Sequence, residues 1–144
     1  MSILKLTDVS LNYHSKKGET PALKNISFEV SENEFIAIVG PSGCGKTTIL
    51  SLISGLLKVS SGAITTLNDD QIGYMFQRDH LFEWRTIWQN VILGLEIQKK
   101  KNQKNFEYIE SLLKKYDLYE FKDKFPRELS GGMRQRVALI RTLA

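Results

Sequence analysis

Cysteine is almost missing from this 144-residue sequence, where Cys44 stands alone. One cysteine excludes an internal disulfide framework and any cysteine zinc site. Long apolar runs are missing too. The longest, Phe35-Ile36-Ala37-Ile38-Val39, ends at Gly40, well short of the roughly 18–20 residues that span a bilayer. The amino terminus, Met1 to Asp8, lacks the basic-then-apolar order of a secretion signal. Histidine is scarce, and His14 and His80 have no metal-ligand spacing. A soluble, cytosolic protein is the expectation.

The formal charge of +4 and a pI near 9.2 raise the question of nucleic acid. The basic residues are scattered apart from Lys99-Lys100-Lys101 and Lys104, and no aromatic residue interrupts that run. A stacking surface for bases would need such aromatics, so the run reads as a solvated helix end and no nucleic-acid partner is expected. With 42% hydrophobic and 25% charged residues, the chain has enough apolar material for one core and not for two.

Along the chain, Val9, Leu11 and Tyr13 alternate with polar residues, as do Ile26, Phe28 and Val30. This period of two predicts antiparallel strands over 4–13 and 23–30, linked by 15–20. Phe35 to Val39 is apolar on both faces, which predicts a central strand of a covered parallel sheet. A glycine-rich loop, Gly40 to Gly45, leads into a predicted helix over 46–57. There Ile49, Ile53 and Leu56 mark one face, and Leu50 and Leu57 widen it toward deep burial. Short strands are predicted from Gly62 and over 72–76. Helices follow, carried by Ile87, Val91 and Leu95, by Phe106, Ile109, Leu113 and Tyr116, and by Met133, Val137 and Ile140. The predicted division is a strand-rich part, 1–77, and a helical part, 78–144. The last helix runs to Ala144 without a glycine, proline or cap, so the chain reads as a fragment.

Gly40-Pro41-Ser42-Gly43-Cys44-Gly45-Lys46-Thr47-Thr48 satisfies G-x-x-x-x-G-K-[ST], with an apolar run before it and a helical face after it, as a phosphate-binding loop requires. The glycines let successive N–H groups point at phosphate oxygens, and the helix aims its positive end at the same place. Lys46 is expected to reach the β- and γ-phosphates, and the Thr47 hydroxyl to ligate Mg²⁺. Thr48 adds a further phosphate hydrogen bond. Cys44 reads as a small filler within the loop, since nothing near it in sequence organises a nucleophile. The loop alone says only that a nucleoside triphosphate is bound.

Leu129-Ser130-Gly131-Gly132-Met133-Arg134-Gln135-Arg136-Val137 narrows the class. Ser130 is a good N-cap, and Gly131-Gly132 lets a phosphate approach the first helical N–H groups. These residues resemble the signature motif of ABC transporter nucleotide-binding domains, and the chain matches that family's order from its first residue. The family's commonest form has Gln where Met133 stands. The resemblance implies an α/β fold: a P-loop NTPase core with an N-terminal antiparallel β subdomain and an α-helical subdomain, here truncated at the C terminus. It implies ATP and Mg²⁺ as cofactors. It also implies a second nucleotide-binding domain as head-to-tail partner, the phosphate loop of one holding ATP against Ser130, Gly131 and Gly132 of the other. Tyr13 falls where the family stacks an aromatic on adenine; taken alone it is a strand-end tyrosine. Gln77 resembles the Q-loop glutamine, which touches Mg²⁺ or its water and links the site to a transmembrane permease.

Leu81-Phe82-Glu83-Trp84-Arg85-Thr86 with Asn90-Val91 resembles importers of nitrate, sulfonates and taurine, where proline is usual in place of Glu83. Phe82 and Trp84 are candidates for packing under a permease helix, or for the core of the helical half. The implied place is the cytoplasmic face of the cell membrane. Hydrolysis in this family also needs an apolar strand ending in Asp, a following Glu and a later His. No four apolar residues followed by Asp-Glu occur after the loop. Leu93-Gly94-Leu95-Glu96 is a look-alike on a helix face, and Asp69-Asp70 after Asn68 reads as a turn. Three readings follow. One is part of a complete ATPase subunit driving import, inactive alone. The second is a truncated, non-hydrolysing remnant. The third is a P-loop kinase, which gives no reason for residues 129–139.

Overall fold

The alternating apolar residues near the amino terminus fold as a ladder. A computed structural model of the chain describes residues 1–15, 18–67 and 72–144, with the backbone alone at His14 and Ser15. Strands β1 (Ser2–Ser15) and β2 (Gly18–Ser31) pair antiparallel, with Leu4 opposite Val30, Leu6 opposite Phe28 and Leu11 opposite Leu23. The pairing extends to Ser15 opposite Gly18, so the ladder enters the 15–20 stretch expected to be a link. Strand β3 (Ser61–Thr66) pairs antiparallel with the other edge of β1, in the order β2-β1-β3. Leu6 and Val9 are both buried although three residues apart. A register shift between them, with Asp8 at a φ of 48° and its N–H donating to Ser27 Oγ at 2.8 Å, resets the alternation.

Helix α1 (Lys46–Ile53) presses Ile49 and Leu52 onto Leu6, Val9, Leu11 and Leu23. It is shorter than the expected 46–57. Gly55 takes a φ of +72° just beyond Ser54, and a left-handed glycine there ends a helix. Leu56, beyond the helix, and Leu50, on a face of it that the sheet does not cover, are exposed and not deeply buried.

Two expected strands are not formed. Phe35–Val39 carries no strand pairing, and Phe35 and Val39 are 93% and 91% exposed. A central strand needs hydrogen-bonding neighbours on both edges, and the β2-β1-β3 sheet supplies none to this segment. Ile72–Phe76 is unpaired for the same reason. The turn assigned to Asn68-Asp69-Asp70 lies outside the described residues.

The chain forms two compact units, Met1–Ile72 and Gly73–Ala144. The sequence expectation put the break after Gln77, but the intervening stretch packs on the helical unit. Thr142 lies where a Cβ on Gly73 would stand, and the Gln77 carbonyl accepts a hydrogen bond from Gln135. The second unit comprises α2 (Ile87–Val91), α3 (Leu93–Ile97), α4 (Gln103–Lys115) and α5 (Gly131–Leu143), with short 3-10 turns at Tyr119–Phe121 and Pro126–Glu128. Ile87, Val91, Ile109, Leu113, Leu118, Val137 and Ile140 are fully buried together. Each contributes about 1.5–3 kcal/mol by leaving water. Thr86 and Gln89 form a reciprocal capping box at the start of α2. No helix among the described residues is long and apolar enough to cross a membrane.

Candidate functional site

The loop between Val39 and α1 is shaped by its own backbone. Gly45, the N-cap of α1, has a φ of 95°, and a Cβ there would lie 2.7 Å from Leu23 Cδ2 and 3.0 Å from the Ala22 carbonyl. Both backbone angle and space therefore demand glycine. At Gly40 a Cβ would fall 2.7 Å from Cys44 Sγ, a side-chain tip that can turn aside, so the demand for glycine there is weaker. The Cys44 N–H donates to the Pro41 carbonyl at 3.4 Å, closing the turn over Ser42 and Gly43.

Lys46, first residue of α1, reaches back across this turn. Its Nζ donates to the Gly40 and Pro41 carbonyls at 2.8 and 2.7 Å and lies 3.5 Å from Cys44 Sγ. The ammonium is thus held by two backbone carbonyls of the loop, with which a phosphate oxygen would compete for it. Thr47 is exposed on the first turn of α1. The Tyr13 hydroxyl, at the end of β1, lies 3.4 Å from Thr48 Oγ1, and the ring is 46% exposed. The fold brings Tyr13 to the loop across 35 residues of sequence.

On the helical unit, Ser130 caps α5 and its Oγ accepts from the Met133 N–H at 3.4 Å. Gly131 and Gly132 have open space where a Cβ would be. Gln77 is exposed, and its carbonyl accepts from Gln135 Nε2 at 3.1 Å. The residues just after Gln77 meet α5 through contacts that sequence reasoning missed. Arg134 holds the Asp79 carboxylate through Nε at 3.0 Å and Nη2 at 3.3 Å, and its Nη2 lies 3.4 Å from Glu83 Oε1. Arg141 donates to the Asp79 and His80 carbonyls at 2.7 and 2.8 Å. Burial pushes the Asp79 carboxyl up, but bonds from Arg134 and the Leu81 N–H outweigh it and hold it below its usual value. The Arg141 guanidinium is pulled down by burial, against the attraction of Asp79.

Asn90 is the other residue whose role the sequence did not disclose. It is fully buried, accepts from the Phe82 N–H at 2.8 Å, and donates to the Phe82, Arg85 and Thr86 carbonyls at 3.1, 3.1 and 3.0 Å. It fixes the 82–86 loop, on which Phe82 and Trp84 stack with centroids 4.8 Å apart and Trp84 is 73% exposed. Glu96 pairs with Arg85 at 2.6 Å and Lys101 at 2.8 Å, so the look-alike carboxylate on α3 is structural.

The structure thus holds a glycine-rich turn spanned by Lys46 at the start of α1 and a serine-capped glycine-glycine start of α5. The ABC transporter family model matches residues 23–144, and the chain belongs to that family. It is 43% identical to the uncharacterised ABC transporter ATP-binding protein YtlC of Bacillus subtilis, with all of this chain and 58% of that protein aligned. It is 41% identical to the nitrate import ATP-binding protein NrtD of Synechocystis, over 98% of this chain and 55% of that protein. The taurine import ATP-binding protein TauB of Pelagibacter ubique is 40% identical, over 99% of this chain and 57% of that one. The chain therefore spans little more than half the length of these relatives. Among solved structures, the dimeric MJ0796 cassette of a bacterial ABC transporter superposes with a TM-score of 0.84 at 33% identity, covering 99% of this chain and 69% of that one. The α/β P-loop cassette fold is thus shared, and the kinase reading is set aside.

Proposed function

We propose that this chain is the ATP-binding portion of an import-type ABC transporter subunit, and that it holds MgATP on Gly40–Thr48. The observation that carries the reading is the Lys46 ammonium, held across a turn that Gly40 and Gly45 keep open. In this reading the amides of Gly40, Ser42, Gly43, Cys44 and Gly45 face the phosphates, Pro41 shapes the turn without donating, and Lys46 exchanges its carbonyl partners for phosphate oxygens. Thr48 adds a hydroxyl, and Tyr13 carries the adenine. Hydroxyl and amide oxygens at Thr47 and Gln77 suit a hard ion such as Mg²⁺, which keeps waters and phosphate oxygens in its shell. No group of three or more His, Cys, Asp or Glu side chains able to hold a metal exists among the described residues. When bound, Mg²⁺ supplies charge neutralisation for the β- and γ-phosphates.

The wider reading follows the relatives. Ser130, Gly131 and Gly132 serve the nucleotide of a second cassette in a head-to-tail pair, a proposal supported by likeness to the dimeric MJ0796 cassette. A transmembrane permease is the other partner, placing the subunit at the cytoplasmic face of the membrane. The solute is a small molecule of the nitrate, sulfonate or taurine kind, in line with what the similar proteins are named for. Hydrolysis is proposed for the longer protein. For these 144 residues, which lack four apolar residues followed by Asp-Glu after the loop, binding without turnover is expected.

Titration of the chain with ATP in Mg²⁺ tests this directly. Lys46→Ala should weaken binding by about 10- to 100-fold, as expected for loss of a charge-assisted phosphate contact. Equal affinity of wild type and Lys46→Ala would remove the loop from the site. Hydrolysis by the chain, abolished in Lys46→Ala, would overturn the expectation of binding alone.

A further inference from the structure

Tyr13 and Thr48 meet where the core of the strand-rich unit runs out. Leu11 and Tyr13 are two residues apart on β1, so their side chains share one face of the strand. The register shift beside them puts its extra residue, Ala22, in β2 and leaves that alternation intact. Leu52 and Thr48 are four residues apart on α1, so they share one face of the helix. Leu11 and Leu52 are buried in the cluster that joins sheet to helix. Tyr13 and Thr48 are therefore the next step of that packing, at the end where the glycine-rich loop enters α1. There two hydroxyls take over from leucine. Tyr13 Oη lies 3.4 Å from Thr48 Oγ1, and neither hydroxyl has another hydrogen-bond partner among the described residues. Thr48 is partly buried, and its branched Cβ restricts χ1 and makes it a stiff anchor. Tyr13, 46% exposed, has its polar tip held while much of its ring stays open, as an aromatic platform requires.

We propose that Thr48 is a positioning residue for Tyr13: its hydroxyl holds the Tyr13 hydroxyl, so that the ring is set as a platform before the base arrives. The inference rests on the nucleotide reading, in which Tyr13 carries the adenine, and it adds that the phenol oxygen contributes to affinity as well as the ring. A ring already held has less rotamer freedom to lose when a base settles on it. Stacking alone makes the opposite statement, that phenylalanine would serve as well as tyrosine. Holding Tyr13 does not remove Thr48 from the phosphates. A hydroxyl carries one proton and two acceptor positions, so with the Tyr13 O–H donating, the Thr48 proton is left for a phosphate oxygen. One side chain then serves both ends of the nucleotide.

Calorimetric titration of the 144-residue chain in Mg²⁺, with ATP and with inorganic triphosphate as separate probes, tests this. Tyr13→Phe should weaken ATP by about two- to fivefold, the worth of one neutral hydrogen bond, and shift triphosphate by less than about 1.5-fold. Tyr13→Ala should weaken ATP by about tenfold or more, since the stacking surface goes too. Thr48→Val should weaken both probes, and in that background Tyr13→Phe should cost ATP nothing further, because its partner is already gone. Thr48→Ser keeps the hydroxyl, so Tyr13→Phe should again cost about two- to fivefold there. If Thr48→Val unfolds the strand-rich unit, Thr48→Ala decides by the same criterion. Tyr13→Phe equal to wild type toward ATP would overturn the proposal, as would the same loss in the wild-type and Thr48→Val backgrounds, or an equal loss toward triphosphate. A wild type that binds neither probe more tightly than Lys46→Ala does would instead remove the nucleotide reading, and this inference with it.

Discussion

The two units solve the burial problem differently. The helical unit closes on itself: Ile87, Val91, Ile109, Leu113, Leu118, Val137 and Ile140 are fully buried, and the buried polar Asn90 has its amide fully engaged. The strand-rich unit buries Leu6, Val9, Leu11, Leu23, Ile49 and Leu52 between sheet and helix but leaves Phe35, Ile36, Ile38, Val39 and Leu50 facing water. A hollow of about 560 Å³ opens there, lined by Leu4, Phe28, Val30, Ile36, Ile38 and Leu50 among others. The difference teaches that helices can satisfy their own hydrogen bonds and need only side-chain contact, whereas a central strand needs neighbours. The helical unit is the one expected to behave as a cooperative whole in these 144 residues.

The largest test of that contrast is Ile109→Ala. Ile109 is fully buried, and truncation there should cost the helical unit about 2–5 kcal/mol through lost transfer and a residual cavity. Denaturant unfolding followed by the fluorescence of Trp84 and Trp88, both in this unit, reads it. Next comes Asn90→Ala at about 2–3 kcal/mol, because the Phe82 N–H and the carbonyls of Phe82, Arg85 and Thr86 lose their partner. Either variant unfolding at wild-type denaturant concentration would mean that the helical core is not tightly closed in solution.

Much of this was legible where the signal is local. The glycine-rich loop with Lys46 could be read because its amides, its cation and its helix are consecutive in the chain. The helices could be read because Ile87, Val91 and Leu95 repeat at the helical period, and Ser130 because a cap is a one-turn property. Pairing was not legible. Phe35–Val39 has the composition of a central strand, but a strand is made by its neighbours, and composition does not supply them. The Asp79–Arg134 pair was invisible for a similar reason, since its members stand 55 residues apart and each alone is an ordinary charged residue. Tyr13 lay between these cases: the resemblance pointed to it, while its approach to Thr48 depends on β1 and α1 sharing a core.

A smaller effect sharpens the comparison through pH. Asp79→Asn should cost the helical unit about 1–2 kcal/mol near neutrality, a value discounted for partial exposure of the pair. Folding holds the Asp79 carboxyl below its ordinary value of 3.8: burial pulls it up, and the bonds from Arg134 and the Leu81 N–H outweigh that pull. A carboxyl depressed by folding stabilises above its unfolded pKa and loses that contribution as pH falls through the folded one. The gap between wild type and Asp79→Asn should therefore be full at neutral pH and close below pH 3.8. Glu96 and Glu128, held below 4.5, act with the same sign in both proteins and cancel in the difference. A gap unchanged under acid would show that the ion pair is not formed.

The smallest expected effect probes the other unit. Phe35 is 93% exposed, so Phe35→Ala should change the stability of the 144-residue chain by less than about 0.5 kcal/mol, as is usual for a surface position. The same change in a packed core would cost about 3–5 kcal/mol. A tenfold dilution series separates the ways in which a large cost would arise. If it persists at every concentration, Phe35 is covered within one molecule and the strand-rich unit is as closed as the helical one. If it fades on dilution, a second molecule covers the segment, as an apolar patch of this kind invites. A negligible cost at every concentration leaves the contrast as drawn: one unit that finishes its own core, and one that leaves the apolar segment before its glycine-rich loop facing water.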